Sequence, residues 1–152
     1  MTQTVDPPEI ETLSCGYITD GLRATPSSGD KLMYLFGNAD ADGWEPLVPI
    51  KVRRLGVTLY VTQIGASVGT FNVRLHKNSL DSGNRIFSCN FPFVSTDADT
   101  WYKDTDSVVD NAGMERLDPG DKLLIELRSH AGVRSNTQVS DVFPWVDYEP
   151  LG

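Results

Sequence analysis

Residues 56–63, GVTLYVTQ, and residues 70–77, TFNVRLHK, determine the fold class of this chain. In both stretches an apolar residue occupies every second position, which is typical of a β-strand with one face in a protein core. The residues expected to face inward are Val57, Leu59 and Val61 in the first stretch and Phe71, Val73 and Leu75 in the second. The residues between them, among them His76, are expected to point to solvent.

Two further stretches have the same alternation. In residues 85–91, RIFSCNF, the side chains of Phe87, Cys89 and Phe91 share one face, so Cys89 is expected to be buried. Residues 122–130, KLLIELRSH, form the fourth strand. Residues 78–84, NSLDSGN, are rich in turn formers, so the second and third strands are predicted to form an antiparallel hairpin.

Weaker strand patterns, bounded by Gly, Pro, Asn or Asp, occur elsewhere in the chain. They lie at residues 16–20, 32–37, 48–54, 100–109 and 137–146. No window shows helical periodicity over ten or more residues. The sequence therefore predicts an all-β protein, an antiparallel jelly roll or β-sandwich of about eight strands. Residues 1–14 are predicted to form an extended N-terminal arm and residues 15–152 a single β-sandwich domain.

The composition excludes several kinds of partner. The 152 residues carry a formal net charge of −8, and an acidic surface repels phosphate backbones, so no nucleic-acid partner is expected. The apolar runs are too short to span a bilayer, so no membrane partner is expected either. The N-terminus lacks the pattern of a secretion signal, which predicts synthesis in a host cytoplasm. The two cysteines, Cys15 and Cys89, are interpreted as free thiols.

Catalytic motifs are missing from the sequence. It has two histidines, no Gly-x-Ser-x-Gly elbow and no glycine-rich phosphate loop. The sequence does not show which carboxylates lie close together in space, so a glycosidase-like pair of acids stays an open alternative. A cupin-like metal site would need more histidines than the chain offers. We therefore expect a protein that is not an enzyme and that holds no cofactor.

One acidic segment resembles the start of a calcium loop. Asn38, Asp40 and Asp42 occupy positions 1, 3 and 5, and Gly43 occupies position 6. Position 12 is Pro49 rather than the glutamate that an EF-hand requires. A solvated turn is the preferred interpretation, and a weak calcium site is the alternative.

Aromatic residues concentrate in two places. Trp101 and Tyr102 lie in an acidic stretch, where packing in the core or between subunits is favoured over ligand binding. Residues 143–148, FPWVDY, carry three aromatic residues near the C-terminus. We expect this segment to close a sheet or to dock on a neighbouring copy.

The run from residue 70 to residue 91, followed by residues 117–129, LDPGDKLLIELRS, resembles small jelly-roll virion proteins of tailed bacteriophages. The resemblance rests on two elements, residues 74–78, RLHKN, and residues 119–125, PGDKLLI, and it extends over residues 50 to 130. Residues 79–81, SLD, depart from the Gly-x-Asp element that usually follows.

The resemblance implies a capsid cement or decoration protein that binds the surface of a phage head as a homotrimer. Its partners would be other copies of itself and the major capsid protein, and its location would be the virion. In such a trimer we expect the N-terminal arm to reach onto a neighbouring subunit, and we expect the interface anchors to be Ile10, Leu13, Trp145 and Tyr148. The alternative is a receptor- or carbohydrate-binding module of a tail fibre or baseplate. Its ligand site would contain Trp44, Trp101 and Tyr102, with Asp40 and Asp42 nearby.

Overall fold

The computed structural model describes residues 10–14, 22–23, 31–33, 43–63, 69–93, 99–129 and 138–151. These residues form antiparallel strands and one short 3-10 turn, Ser82–Asn84. The strands are β1 (Glu11–Ser14), β2 (Leu22–Arg23), β3 (Lys31–Met33), β4 (Ile50–Gln63), β5 (Gly69–Lys77), β6 (Arg85–Phe93), β7 (Thr100–Asp106), β8 (Arg116–Leu117), β9 (Leu123–Ser129) and β10 (Gln138–Pro150). No helix in this part of the chain is long and apolar enough to cross a membrane.

The strands form two sheets. The first sheet has the order β1-β10-β4-β7, with β2 paired to β10 and β8 paired to β4, and the second has the order β3-β9-β5-β6. With the two-residue strands β2 and β8 set aside, eight strands remain, and consecutive strands alternate between the sheets except at the β5–β6 hairpin. This is the connectivity of a jelly roll, so the predicted fold class is confirmed.

The core lies between the two sheets and consists mainly of the alternating residues that the sequence singled out. Val57, Leu59 and Val61 of β4 are fully buried, and so are Val73 and Leu75 of β5. Burial of each such aliphatic side chain stabilises the fold by roughly 1.5–3 kcal/mol relative to exposure. The β5–β6 hairpin is also present, as predicted.

Cys89 lies on the inward face of β6, where the sequence placed it. Its side chain is fully buried with those of Phe87 and Phe91. Burial, together with the charges of Asp104 and Asp106, raises the pKa of the Cys89 thiol from 9.0 to about 12. The register predicted for this strand is therefore confirmed.

Residues 48–54 and 56–63 were predicted as separate strands, but residues 50–63 form the single strand β4, which contains a β-bulge at Arg53. Asp147 of β10 pairs with Arg54, and the next residue, Tyr148, pairs with Val52, so Arg53 is the extra residue on β4. Buried positions therefore change from even numbers at Val52 to odd numbers at Leu55. The change of phase looks like a strand boundary in the sequence, but the backbone remains one strand of 14 residues.

His76 was expected to face solvent, and this prediction is wrong. Its side chain is 1% exposed, and Nε2 lies 3.0 Å from Oε1 of the equally buried Glu126 on β9. Trp44 and Leu123 exchange backbone hydrogen bonds, which bring the segment at Gly43 onto β9. Gly43 contacts Leu124, the register partner of His76. The alternation of apolar and polar residues in a sequence does not reveal that the outer face of a strand is covered, or that two buried polar side chains there form a hydrogen bond with each other.

The predicted N-terminal arm is described only in its last residues. Residues 11–14 form β1, which pairs with residues 145–148 of the same chain. The Thr12 hydroxyl donates a hydrogen bond of 2.7 Å to Oδ1 of Asp147, and the Tyr148 hydroxyl donates one of 2.5 Å to Glu11. Residues 1–9 of the predicted arm lie outside the described residues.

Candidate interaction surface

An exposed group of aromatic side chains lies on the outer face of the first sheet. We call it the aromatic face and define it by residues on the three adjacent strands β10, β4 and β7. Its members are Tyr60, Trp101, Lys103, Phe143 and Trp145. Trp101 is 54% exposed and Phe143 is 38% exposed, although both are large apolar residues. Exposed apolar clusters of this kind mark interaction sites more often than isolated exposed residues do.

The strand register assembles this face. Tyr60 and Trp101 are direct partners across β4 and β7, and their ring centroids lie 5.2 Å apart. Thr58 is the partner both of Phe143 on β10 and of Lys103 on β7. The Trp101 and Phe143 rings are stacked, with centroids 6.2 Å apart and planes inclined by 30°. The rings therefore form one platform that is fixed by contacts within the sheet.

Trp145 lies flat on the strand next to it because that strand has a glycine there. Gly56 is the register partner of Trp145, and a Cβ at position 56 would overlap the indole ring. The Lys103 ammonium lies 5.4 Å from the centre of the same ring, within the range of a cation–π interaction. The glycine and the lysine together fix the position of the indole.

Ion pairing continues the outer face beyond Trp145. Two adjacent arginines point outward at the β4 bulge, and each meets a carboxylate of β10. Arg53 pairs with Glu149 at 2.6 Å, and Arg54 pairs with Asp147 at 2.7 Å. The carboxylates are largely buried, whereas the arginine side chains are about half exposed. Water therefore reaches the arginine side of each ion pair but hardly reaches the carboxylate side.

The predicted interface anchors occupy different places. Trp145 belongs to the aromatic face. Tyr148 packs against the core cluster and lies 5.7 Å from the Trp44 ring, and burial, followed by its bond to Glu11, raises the pKa of Tyr148 to about 12. Ile10 is exposed just before β1, and Leu13 lies within β1.

The residues of the alternative ligand site are not brought together. Trp101 and Tyr102 are neighbours on β7 and point to opposite faces of the sheet, so Tyr102 packs against the core. Trp44 also packs against the core, beside Tyr148. Of these three residues, only Trp101 belongs to the aromatic face.

The calcium ligands predicted from the sequence, Asn38, Asp40 and Asp42, lie outside the described residues. Gly43, which follows them, has φ +80, the left-handed conformation expected at the sixth position of the pattern. Within the described ranges no group of three or more acidic, histidine or cysteine side chains is arranged to hold a metal ion.

A polar groove of about 450 Å³ runs between the outer edges of the two sheets, where β6 faces β7. Asp106 accepts a hydrogen bond of 2.9 Å from the backbone N–H of Ser88, and Asp104 accepts one of 2.8 Å from the backbone N–H of Asn90. These carboxylates satisfy backbone donors of an edge strand, which would otherwise attract another strand. The groove lining therefore has a structural role in closing the sandwich.

The sequence indicated Trp101 and the aromatic segment 143–148, which contains Phe143 and Trp145, but it did not show that these residues share one face with Tyr60. Phe143 stands at the start of an aromatic cluster in the sequence, and Tyr60 alternates with the core residues of β4. The sequence feature that could have predicted the aromatic face is the presence of outward-facing aromatic residues in several strands. The pairing register, which the sequence does not contain, was needed to combine them.

Comparison with known proteins found similarity at the level of solved structures. No family model matches the chain, and no curated protein matches it. The chain is similar to a chain of the T13 IBDV viral particle, with a TM-score of 0.46 and 10% sequence identity, over 99% of this chain and 37% of that one. It thus spans well under half of the length of that viral chain. It is also similar to the Eiger TNF of S. frugiperda, with a TM-score of 0.44 and 13% identity, over 96% of this chain and 94% of that one.

Proposed function

We propose that this chain is a virion structural protein of the capsid cement or decoration type, which binds the surface of a phage head as a homotrimer and stabilises it. The observation that carries the proposal is the aromatic face, a preformed apolar platform on the outside of an acidic jelly roll. The resemblance of residues 50 to 130 to small phage virion proteins supports it, and the jelly-roll connectivity agrees with that resemblance.

The proposed mechanism is binding alone, without catalysis. Most of the core residues come from long paired strands, so the domain presents a rigid surface that needs little ordering when it binds. A symmetric trimer gains avidity where several capsid subunits present matched sites at fixed spacing. Assembled heads should therefore bind the protein much more tightly than isolated capsid subunits do.

Co-sedimentation with purified heads of the phage that encodes the chain tests the proposal. Full-length protein should pellet with heads and saturate at a fixed number of copies per capsid, whereas unassembled major capsid protein should bind it poorly. A variant that lacks residues 1–9 keeps β1 and its pairing with β10 and isolates the contribution of the arm. We expect this variant to fold normally, because β1 is kept, and to bind heads more weakly, because the arm that would reach onto a neighbouring subunit is missing. Equal binding by both forms would show that the arm does not contribute to binding of the head. No binding by either form would exclude the cement function.

A second candidate function is glycan recognition by a tail-fibre or baseplate module. The observation that favours it is the exposed Trp101 ring, since sugar rings stack on exposed aromatic faces. A glycan array probed with wild type and with Trp101→Ala tests it. Binding to a defined glycan that is lost in the variant would support this candidate over the cement function.

A further inference from the structure

We infer that the aromatic face is the surface through which copies of this chain contact one another, turned toward the axis of the trimer. The inference rests on the proposed homotrimer and names the surface that forms it. Its occupant is a second copy of the chain.

The first argument is the cost of leaving this surface in water. Phe143 and Trp101 belong to the exposed large apolar residues of the described chain, and the two are in contact with each other. Tyr60 extends the cluster on the side of β4. Aromatic residues are enriched at the centres of protein interfaces, where they contribute a large share of the binding energy.

The second argument is charge. The whole chain has a net charge of −8, so two copies repel each other unless they meet at a surface without excess negative charge. Lys103 is the charged member of the aromatic face. Asp99 borders it and accepts a hydrogen bond of 3.3 Å from the Tyr60 hydroxyl. On the opposite border Arg54 and Asp147 neutralise each other.

Positive and negative charges therefore balance among the described side chains of this face and its border. Two copies that meet here avoid the repulsion that the rest of the surface would impose. A strongly charged partner, in contrast, would find no complementary charge on this face. The charge balance thus favours another copy of the same chain.

The third argument is size. The three strands that carry the aromatic face, β10, β4 and β7, are spaced by about 4.8 Å, which gives the face a width of about 14 Å. From Arg54 to Tyr60 the face is about 20 Å long at about 3.3 Å per residue. The flat area is roughly 300 Å², less than half of the roughly 800 Å² that each partner buries in a standard interface. In a closed ring each copy contacts two neighbours through different parts of its surface, so the area beside the aromatic face that meets the second neighbour adds to the buried total.

Sedimentation equilibrium of the isolated full-length chain tests the inference without any capsid. Wild type should give a mass of about 50 kDa, three times the chain mass of 16.7 kDa. The test variant is Trp101→Ser with Phe143→Ser, which removes the exposed aromatic rings. The matched control is Leu47→Ser with Val108→Ser, since these residues are 94% and 73% exposed and lie outside the face. Circular dichroism and urea unfolding establish that both variants are folded.

We expect the test variant to dissociate, with a trimer weakened at least about 30-fold for each aromatic residue that acts as a hot spot. The control variant should remain trimeric. A second variant, Thr58→Glu, keeps the aromatic rings and places a negative charge at the centre of the face; it should dissociate at low salt and recover in part at high salt.

The outcomes separate this inference from the proposed function. A wild-type trimer that the test variant leaves intact overturns the aromatic face as the contact, whether or not the protein binds heads. A wild type that binds heads as a monomer overturns the inference and the proposed homotrimer, and it leaves only the binding of heads standing. A trimer that dissociates in the variant, in a protein that binds no heads, supports the inference and overturns the cement function. Loss of glycan binding in the variant, with an unchanged mass, assigns the face to a sugar and overturns the inference.

Discussion

The guanidinium group of Arg54 donates two hydrogen bonds to one oxygen of Asp147, 2.9 Å from Nε and 2.7 Å from Nη2. The other carboxylate oxygen accepts a bond from Thr12, so Asp147 ties the first strand, the last strand and the β4 bulge together. The bulge makes this arrangement possible because it turns Arg54 to the outer face of the sheet.

A double-mutant cycle on this pair, Arg54→Ala and Asp147→Ala, should give a coupling energy of about 1 kcal/mol in urea unfolding. The charge-assisted bonds favour a larger value, but the Arg54 side chain is 50% exposed and water screens it. The control is Arg116 with Asp118, a pair that is 4.0 Å apart and more than 60% exposed on both sides. That pair should show coupling near zero. Equal coupling in the two cycles would contradict the structural role assigned to Asp147.

Replacement of Gly56 by alanine should destabilise the protein by about 1–2 kcal/mol, because the new methyl group forces the Trp145 ring off the strand. The loss should shrink when Trp145 is already alanine. Gly83→Ala is the control, since nothing lies within 4 Å of a Cβ there. Thermal unfolding of the four variants measures the difference. A Gly56→Ala penalty that persists in the Trp145→Ala background would mean that the indole does not occupy this site.

Alkaline pH should destabilise the fold through Cys89. Burial raises the pKa of this thiol to about 12 in the folded state. The contribution of the protonated thiol to the free energy of unfolding is therefore complete below about pH 9 and is lost as the pH rises from 9 toward 12. The free energy of unfolding should therefore fall by up to about 1.4 kcal/mol per pH unit for this one proton.

Urea unfolding at intervals between pH 8 and pH 11 compares wild type with Cys89→Ala. The variant should have the shallower slope, whatever its stability at pH 8. Tyr148→Phe is the companion variant, since the raised pKa of Tyr148 adds a loss of the same sign above pH 10. Parallel slopes for wild type and Cys89→Ala would contradict the burial of this thiol.

Mild acid should destabilise the fold through His76. Burial lowers the pKa of His76 below its usual 6.5, against the opposing effect of Glu126, so the folded state binds the proton less readily than the unfolded chain does. The contribution of the neutral ring is present above about pH 6.5 and is lost as the pH falls below that value.

Thermal unfolding between pH 7.5 and pH 5.5 measures this effect. The midpoint should fall with pH in wild type and in His130→Gln, which changes the other histidine of the chain, and should fall less in His76→Gln. A midpoint that rises as the pH falls in wild type, and rises less in His76→Gln, would instead indicate that His76 is protonated in the folded state and paired with Glu126 as an ion.

Sequence patterns predicted the fold because the strands that build the core have unbroken alternation. Val57 to Val61 and Phe87 to Phe91 each place every second side chain in the core, and the turn at residues 78–84 joins neighbouring strands. The Arg53 bulge was missed because an extra residue in a strand changes the phase of the pattern and leaves no other trace.

The interaction surface was predicted only in part. Trp101 and Trp145 stood out as aromatic residues, but the sequence could not show that one outer face holds them together with Tyr60 and Phe143. Contacts between strands that are 40 or more residues apart in the chain depend on register, which is set by the complete sheet. The burial of His76 was missed for a similar reason, since its partner Glu126 belongs to a distant strand.

The most direct test of the cement function is the heat resistance of purified heads that lack this protein, measured as the temperature at which packaged DNA is released. Addition of wild-type protein should raise that temperature, with saturation at a fixed ratio to the capsid subunits. The Trp101→Ser, Phe143→Ser variant should raise it less, because loss of the trimer removes avidity. A release temperature that stays the same at saturating wild-type protein would contradict the proposal.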